Sequence, residues 1–167
     1  MRKVLLFLMI FYTVSAFGQA GKYAGNMKLL INKSYKNIEE LALLKQWKYH
    51  SSTLLSLIDD VELITATVYQ KNTTQIVIYA IAENDGDEVY TIADVIQLNN
   101  VLKSEELGIG VCRRNAESSS FLAALYNYNF KPSHPNYIKN AWRFNPDKRK
   151  IELIPKSGID CTIDGLD

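Results

Sequence analysis

The fold is decided by residues 61–98, which read VELITATVYQKNTTQIVIYAIAENDGDEVYTIADVIQL. Three runs in this stretch are rich in β-branched residues and tyrosine, a composition that favours β-strands. A polar turn at 71–74 separates the first two runs. The pair Asp85-Gly86 separates the last two, and Asp-Gly between strand-like runs is a strong hairpin signal. The stretch therefore predicts a three-stranded antiparallel meander.

Four further strands are predicted towards the C-terminus, at 109–113, 121–128, 138–144 and 151–154. The last two flank a turn of Asn, Pro, Asp and Lys at 145–148, which predicts a second hairpin. With the meander, these runs make an antiparallel sheet of about seven strands.

A helical layer is predicted ahead of the sheet. Asn37 has the position of an N-cap, with Glu40 three residues later as its capping-box partner. Apolar residues recur at helical spacing from Ile38, which predicts a helix over 38–49. A second short helix is predicted from Ser51 or Ser52. The expected class is therefore α+β, a mainly antiparallel sheet built of hairpin meanders with an N-terminal helical layer.

The N-terminus has the layout of a secretory signal peptide. Arg2 and Lys3 precede an apolar run over residues 4–12, and small residues follow at Ala16 and Gly18. The run is too short to span a bilayer. We therefore expect an exported protein, periplasmic or extracellular, with no membrane span after signal cleavage.

Cleavage after Gly18 divides the chain into a signal peptide at 1–18 and a remainder at 19–167. The remainder has about 150 residues, a suitable length for a single globular α+β domain. Residues 19–33 show no clear periodicity and are expected to be poorly ordered.

The charge balance is near neutral. The whole chain has 19 basic and 18 acidic side chains, and removal of Arg2 and Lys3 leaves 17 basic ones against the same 18 acids. A surface that binds nucleic acid needs an excess of basic residues to neutralise phosphates. We therefore expect no nucleic-acid partner.

The two cysteines, Cys112 and Cys161, are far apart in the sequence. An even number of cysteines in an exported protein predicts a disulfide. Cys161 follows the last predicted strand, in an acidic tail that includes Asp160 and Asp164. A Cys112–Cys161 bridge would hold this tail against the sheet, where one of the arginines at 113–114 could meet its acids.

The sequence contains no complete catalytic or metal motif. The two histidines, His50 and His134, are too few for a zinc site unless carboxylates or cysteines join them. A Cys112–His134 mechanism would require an unpaired thiol, and the serines at 118–120 lack the glycines of a nucleophile elbow. The acidic loop at 83–88 does not have EF-hand spacing. We therefore expect no catalytic residues, no metal site and no cofactor.

One stretch is a candidate binding surface, and an ordinary connection whose tyrosines pack on the edge of the sheet is the alternative that stays open. Residues 126–137 read YNYNFKPSHPNY and concentrate aromatic rings, asparagines and prolines. Tyrosine offers a large rigid contact area with a polar tip, and proline reduces the entropy lost when a loop is ordered. The predicted binding surface consists of Tyr126, Tyr128, Phe130, His134 and Tyr137.

These observations predict a small exported, non-enzymatic protein that binds another protein in the cell envelope or outside the cell. An inhibitor, an immunity-type protein and an envelope accessory module all fit this description. Two alternatives remain open. One is a secreted hydrolase with two catalytic carboxylates that the sequence cannot pair. The other is a module that binds a small molecule or a lipid in an apolar pocket.

Overall fold

The computed structural model describes residues 25–58, 62–83 and 89–161. The predicted signal peptide, the turn at 84–88 and the acidic tail after Cys161 lie outside the described residues. Within them, twelve strands form three antiparallel sheets. The strands are β1 (Ser34–Tyr35), β2 (Lys48–Ile58), β3 (Glu62–Lys71), β4 (Thr74–Glu83), β5 (Val89–Leu98), β6 (Glu105–Ile109), β7 (Arg113–Arg114), β8 (Glu117–Ser118), β9 (Leu122–Asn127), β10 (Ile138–Asn145), β11 (Lys150–Ile154) and β12 (Ile159–Asp160).

The first sheet contains the predicted meander, which is confirmed. Its strand order is β1-β5-β4-β3-β2. Strands β3 and β4 pair without interruption as far as Lys71 and Thr74. The tight turn between them places Asn72 at a φ of 54°, a left-handed conformation that asparagine tolerates better than most residues. Strand β5 pairs with β4 in turn.

The remaining strands form two sheets rather than an extension of the first one. The second sheet has the order β11-β10-β9-β6, and the small third sheet has the order β12-β7-β8. The strands predicted at 121–128, 138–144 and 151–154 are confirmed as β9, β10 and β11. The strand predicted at 109–113 is interrupted instead, because β6 ends at Ile109 and β7 begins at Arg113.

The predicted N-terminal helical layer is wrong, and with it the α+β class. The protein is mainly antiparallel β-sheet, and its described helical segments are short 3₁₀ turns at Gly25–Leu30, Ile38–Glu40 and Ala42–Leu44. The side chain of Asn37 does accept a hydrogen bond from the Glu39 N–H, at 3.1 Å, but it caps a single turn. Leu41 then leaves the helical region with a ψ of 103°.

The second predicted helix is a strand because its neighbour supplies a better arrangement of backbone hydrogen bonds. Residues 48–58 pair with β3, with irregularities at two points. Neighbouring residues of this strand face opposite sides of the sheet: Leu55 faces the core and is 3% exposed, whereas Leu54 faces solvent and is 52% exposed. The serines at 51 and 52, which resemble helix caps, belong to a serine- and threonine-rich edge strand. Local spacing of leucines cannot distinguish these two outcomes, because tertiary pairing overrides propensity.

The core lies between the first and second sheets, which pack face to face as a β-sandwich. Tyr79 of β4 and Phe144 of β10 meet at its centre, with ring centroids 5.4 Å apart and both side chains fully buried. Trp142 and Ile64 extend the same cluster.

The first and second sheets are also covered on their outer faces. The 3₁₀ turns pack Leu30 and Leu44 against the first sheet, beside Ile76 and Ile92. The third sheet covers the second one at a cluster that contains both cysteines. Among residues 25–58, 62–83 and 89–161, no helix combines the length and apolar character needed to cross a membrane.

Candidate functional site

Three connections meet at one end of the sandwich, which we call the loop end. They are the turn at 72–73, the crossing at 99–104 that joins β5 to β6, and the loop at 128–136 that, with Tyr137, joins β9 to β10. We call the last of these the aromatic loop. The Val101 N–H donates to the Thr73 carbonyl at 2.8 Å, which fixes the crossing to the turn. Binding residues are often carried by loops that a rigid scaffold holds in place.

Asn127, the last residue of β9, organises the base of the aromatic loop. Its side-chain oxygen accepts the Asn129 N–H at 3.0 Å, and its carbonyl accepts the Phe130 N–H at 3.1 Å. Its side-chain nitrogen donates to the Ser104 hydroxyl at 3.2 Å, and its backbone N–H donates to the Tyr137 carbonyl at 2.8 Å. Asn127 is 7% exposed, so these bonds are partly shielded from water and hold the base of the loop to β9 and to the crossing.

Tyr128 links the aromatic loop to the crossing while its ring remains open to solvent. Its hydroxyl donates to the Lys103 carbonyl at 2.6 Å, and its N–H donates to the Ser104 carbonyl at 3.1 Å. The residue is 56% exposed. The neighbouring Leu102 is 54% exposed, and its N–H donates to the Glu105 carboxylate at 3.0 Å. Two large side chains are therefore exposed on backbone that is fixed by hydrogen bonds.

Phe130 and His134 form the outer part of the aromatic loop. Their rings stack with centroids 4.2 Å apart and planes 7° apart. The His134 N–H donates to the Lys131 carbonyl at 2.8 Å, and its Nδ1 atom accepts the Asn136 N–H at 3.1 Å. Phe130 is partly buried and His134 is exposed. The stack thus presents an aromatic edge whose position is set by the turn beneath it.

Tyr126 and Tyr137 lie beneath the aromatic loop and not on its surface. They are 6% and 3% exposed, and their rings pack with centroids 5.6 Å apart. Burial raises the pKa of the Tyr126 hydroxyl, as do the charge of Glu106 and a hydrogen bond to that carboxylate. Burial also raises the pKa of Tyr137, with a smaller contribution from Asp160. Of the five predicted surface residues, Tyr128, Phe130 and His134 are the ones accessible to a partner.

The cysteine pair lies in the same buried cluster as these two tyrosines. Cys112 and Cys161 are in disulfide-bonding position, with Cα atoms 4.1 Å apart. A Cβ atom on Gly108 would lie 3.0 Å from the Cys112 Sγ atom, so glycine lets the pair approach β6. The expected contact between an arginine at 113–114 and the tail is confirmed by the Arg113–Asp160 ion pair, at 3.6 Å.

The chemistry-bearing residues that the sequence singled out are not brought together. The structure places His134 in the exposed loop and Cys112 beside Cys161. Across residues 25–58, 62–83 and 89–161, no three His, Cys, Asp or Glu side chains are grouped to hold a metal ion. Of the acidic loop predicted at 83–88, only Glu83 lies within the described residues.

Sequence reasoning missed Asn127, Ser104 and Leu102. Asn127 was one of several asparagines in an asparagine-rich stretch, and its role depends on a partner 23 positions away in the sequence. A signal was available for Leu102, because a leucine between Asn100 and Lys103 is a large apolar residue in a polar connection.

Comparison with known proteins finds no matching family model, no matching curated protein and no matching solved structure.

Proposed function

We propose that this chain is an exported, non-enzymatic module that binds another protein through its loop end. The observation that carries the proposal is the exposure of Tyr128 and Leu102 on backbone fixed by hydrogen bonds, at the end of the sandwich that also carries the Phe130–His134 stack. Aromatic side chains are enriched at protein interfaces and supply much of the binding energy there. A partner that covers these side chains removes apolar surface from water without having to order the loop.

The grouping of exposed side chains on two linked connections distinguishes this surface from the isolated apolar side chains found elsewhere on the protein. Leu54, for example, is 52% exposed on an edge strand, and a single exposed leucine is ordinary for a protein surface. At the loop end, by contrast, Tyr128 and Ser104 are joined across two connections by an N–H to carbonyl bond of 3.1 Å. Export of the module is supported by the signal-like N-terminus and by the cysteine pair, since disulfides persist in oxidising compartments.

Affinity capture with graded variants tests the proposal. Tagged protein comprising residues 19–167 is used to capture partners from an envelope and extracellular fraction of the source cells, and bound proteins are quantified by mass spectrometry. Tyr128→Ala removes the ring and its anchor to Lys103, whereas Tyr128→Phe removes only the hydroxyl bond. Leu54→Ala is the matched control, because Leu54 has nearly the same exposed fraction as Tyr128.

The proposal predicts one dominant protein that wild type, Leu54→Ala and, to a large extent, Tyr128→Phe all retain and that Tyr128→Ala loses. Tyr137 is unsuitable for this purpose, because it is 3% exposed and its truncation would damage the core. Equal capture by Tyr128→Ala and wild type would show that the loop end is not the binding surface. Capture of no specific protein by any variant would contradict the assignment as a protein-binding module.

A further inference from the structure

An open cleft lies at the loop end, between the start of β2 and the turn that joins β3 to β4. Its volume is about 580 Å³, within the range of small-molecule sites. The cleft is lined by Gln46, Lys48, Tyr49, His50, Gln70, Lys71 and Asn72. These residues combine three kinds of chemistry: positive charge, side-chain amides and one exposed aromatic ring.

The charge of the lining has one sign. Lys48 and Lys71 contribute ammonium groups, His50 can contribute a further N–H donor, and none of the lining residues is acidic. The ammonium of Lys71 donates to the side-chain oxygen of Gln46 at 2.7 Å, which holds the cation at the cleft wall. The lining therefore favours a ligand that carries a carboxylate or another anionic group.

The amides of the lining favour a ligand rich in hydroxyl groups. Gln46 uses its oxygen to accept from Lys71, and Gln70 uses its nitrogen to donate to the Asn72 carbonyl at 2.9 Å. Within the described part of the chain, no further bond engages the Gln46 nitrogen or the Gln70 oxygen. One donor and one acceptor are thus available in fixed positions, and a hydroxyl group can satisfy both kinds of partner.

Tyr49 supplies a flat apolar surface beside these polar groups. It is 63% exposed, and its ring meets that of the buried Tyr69 edge to face, with centroids 6.0 Å apart and planes 82° apart. The contact with Tyr69 restricts the rotation of the Tyr49 ring. The C–H face of a sugar ring can pack on an aromatic ring held in this way, since both surfaces are apolar.

From this combination we infer that the cleft binds an acidic saccharide. The carboxylate of a uronate unit pairs with the Lys71 ammonium, its hydroxyls bond the Gln46 amide, and its ring packs on Tyr49, which shares a strand face with Lys71. Lys48 and Gln70 pair across β2 and β3 on the opposite face and add a positive charge and an amide at the rim of the cleft. A simple anion would use the lysines alone, and a neutral sugar would use only the ring and the amides. The inference does not depend on the proposed protein partner, because the cleft and the aromatic loop use different side chains.

Titration followed by two-dimensional NMR tests this inference on residues 19–167 labelled with ¹⁵N. The ligand is trigalacturonate. Three compounds serve as comparisons: galactotriose as the neutral saccharide, triglutamate as the acidic peptide and inorganic phosphate as the simple anion. We expect trigalacturonate to shift the backbone signals of residues 46–50 and 70–72 to saturation, with an affinity at least about fivefold above that of each comparison compound.

The variants follow from the roles of the residues. Combined Lys48→Gln and Lys71→Gln substitutions are expected to weaken trigalacturonate binding at least about fivefold, in line with the strength of exposed charge pairs. Tyr49→Ala is expected to weaken trigalacturonate and galactotriose alike. Lys150→Gln, a change of an exposed lysine outside the cleft, is the matched control and leaves the affinity unchanged. Tyr128→Ala also leaves it unchanged, which separates this test from that of the protein-binding surface.

Several results would overturn the inference. Equal affinity for galactotriose would remove the role of the lysines, and equal affinity for triglutamate or phosphate would show an anion site without saccharide recognition. Shifts confined to residues outside the cleft would place the ligand elsewhere. An affinity that the double lysine variant retains would contradict the assigned contacts.

Discussion

The side chain of Asp94 in β5 accepts the backbone N–H of Ile151 in β11, at 2.9 Å, and so joins the two sheets of the sandwich. Asp94 is 1% exposed, and its other carboxylate oxygen accepts the Val95 N–H at 3.0 Å. A bulge at Ala93 places this carboxylate, because the pairing with β4 shifts by one residue there. Since β11 is the edge strand of its sheet, Asp94 satisfies an N–H that no neighbouring strand reaches.

Removal of this carboxylate is expected to destabilise the fold. Asp94→Ala leaves the Ile151 N–H without its acceptor, and loss of hydrogen bonds to a buried charged group should lower the free energy of unfolding by about 3 kcal/mol. Asp94→Asn keeps one acceptor oxygen and should lower it by about half as much. Urea denaturation at neutral pH measures both values. A loss below about 0.5 kcal/mol for Asp94→Ala would show that the bond contributes little.

The hydroxyl of Tyr79 offers the opposite case. Its oxygen is buried without a hydrogen-bond partner in the part of the chain that the structure describes, although the ring is fully packed. Burial raises the pKa of Tyr79 to about 12, and Glu62 contributes to this increase. Tyr79→Phe removes an unsatisfied polar group and keeps the ring contact with Phe144, so we expect an increase in unfolding free energy of about 1 kcal/mol. A decrease of that size in the same urea experiment would reveal a partner for the hydroxyl.

These two residues also show what the sequence could and could not predict. The β-branched residues around Tyr79, among them the consecutive Ile76, Val77 and Ile78, predict a strand because this composition is a local signal. The bulge at Ala93 leaves no comparable signal, so the direction of Asp94 depends on pairing between strands. The serines and leucines of β2 predicted a helix where the structure has a strand, again because the outcome depends on pairing between strands.

The candidate site, like the fold, could be predicted from the sequence only in part. The residue types at 126–137 predict five side chains on the surface, but two of the five, Tyr126 and Tyr137, are buried. Their burial was not predictable, since Tyr126 and Tyr137 are covered by a third sheet that only long-range pairing creates.

Glu152 is expected to make the stability of the fold depend on pH in the acidic range. Its carboxylate accepts hydrogen bonds from Arg143 at 2.8 Å, Lys148 at 2.9 Å and Asn145 at 3.1 Å, and these bonds lower its pKa from 4.5 to about 2. A carboxylate whose pKa is lower in the folded state than in the unfolded state stabilises the fold at pH values above its unfolded pKa. This contribution is lost as the pH falls through the interval from 4.5 to about 2.

Comparison of wild type with Glu152→Gln measures this contribution. The variant should have the lower melting temperature at pH 7, and the difference should shrink as the pH approaches 2. Thermal unfolding followed by circular dichroism over this pH range records both proteins under the same conditions. A difference that stays constant with pH would mean that the charge of Glu152 does not contribute.

The cysteine pair is expected to be oxidised and stabilising. Cys112 and Cys161 are separated by 49 positions, and a bridge that closes such a loop contributes about 4 kcal/mol in the chain-entropy model. The double substitution of both cysteines by serine should lower the unfolding free energy by a comparable amount. Intact-mass analysis after alkylation without reductant provides the direct control, because labelling of both cysteines in the folded wild type would show that no bridge exists.

Tyr128 tests the central proposal, that the loop end binds a protein, most directly. The measurement is the dissociation constant of the captured partner for wild type, Tyr128→Ala and Leu54→Ala, determined by calorimetric titration. An interface aromatic residue with a major role contributes about 2 kcal/mol or more, so we expect Tyr128→Ala to weaken binding roughly thirtyfold while Leu54→Ala matches wild type. Equal dissociation constants for all three proteins would contradict the account.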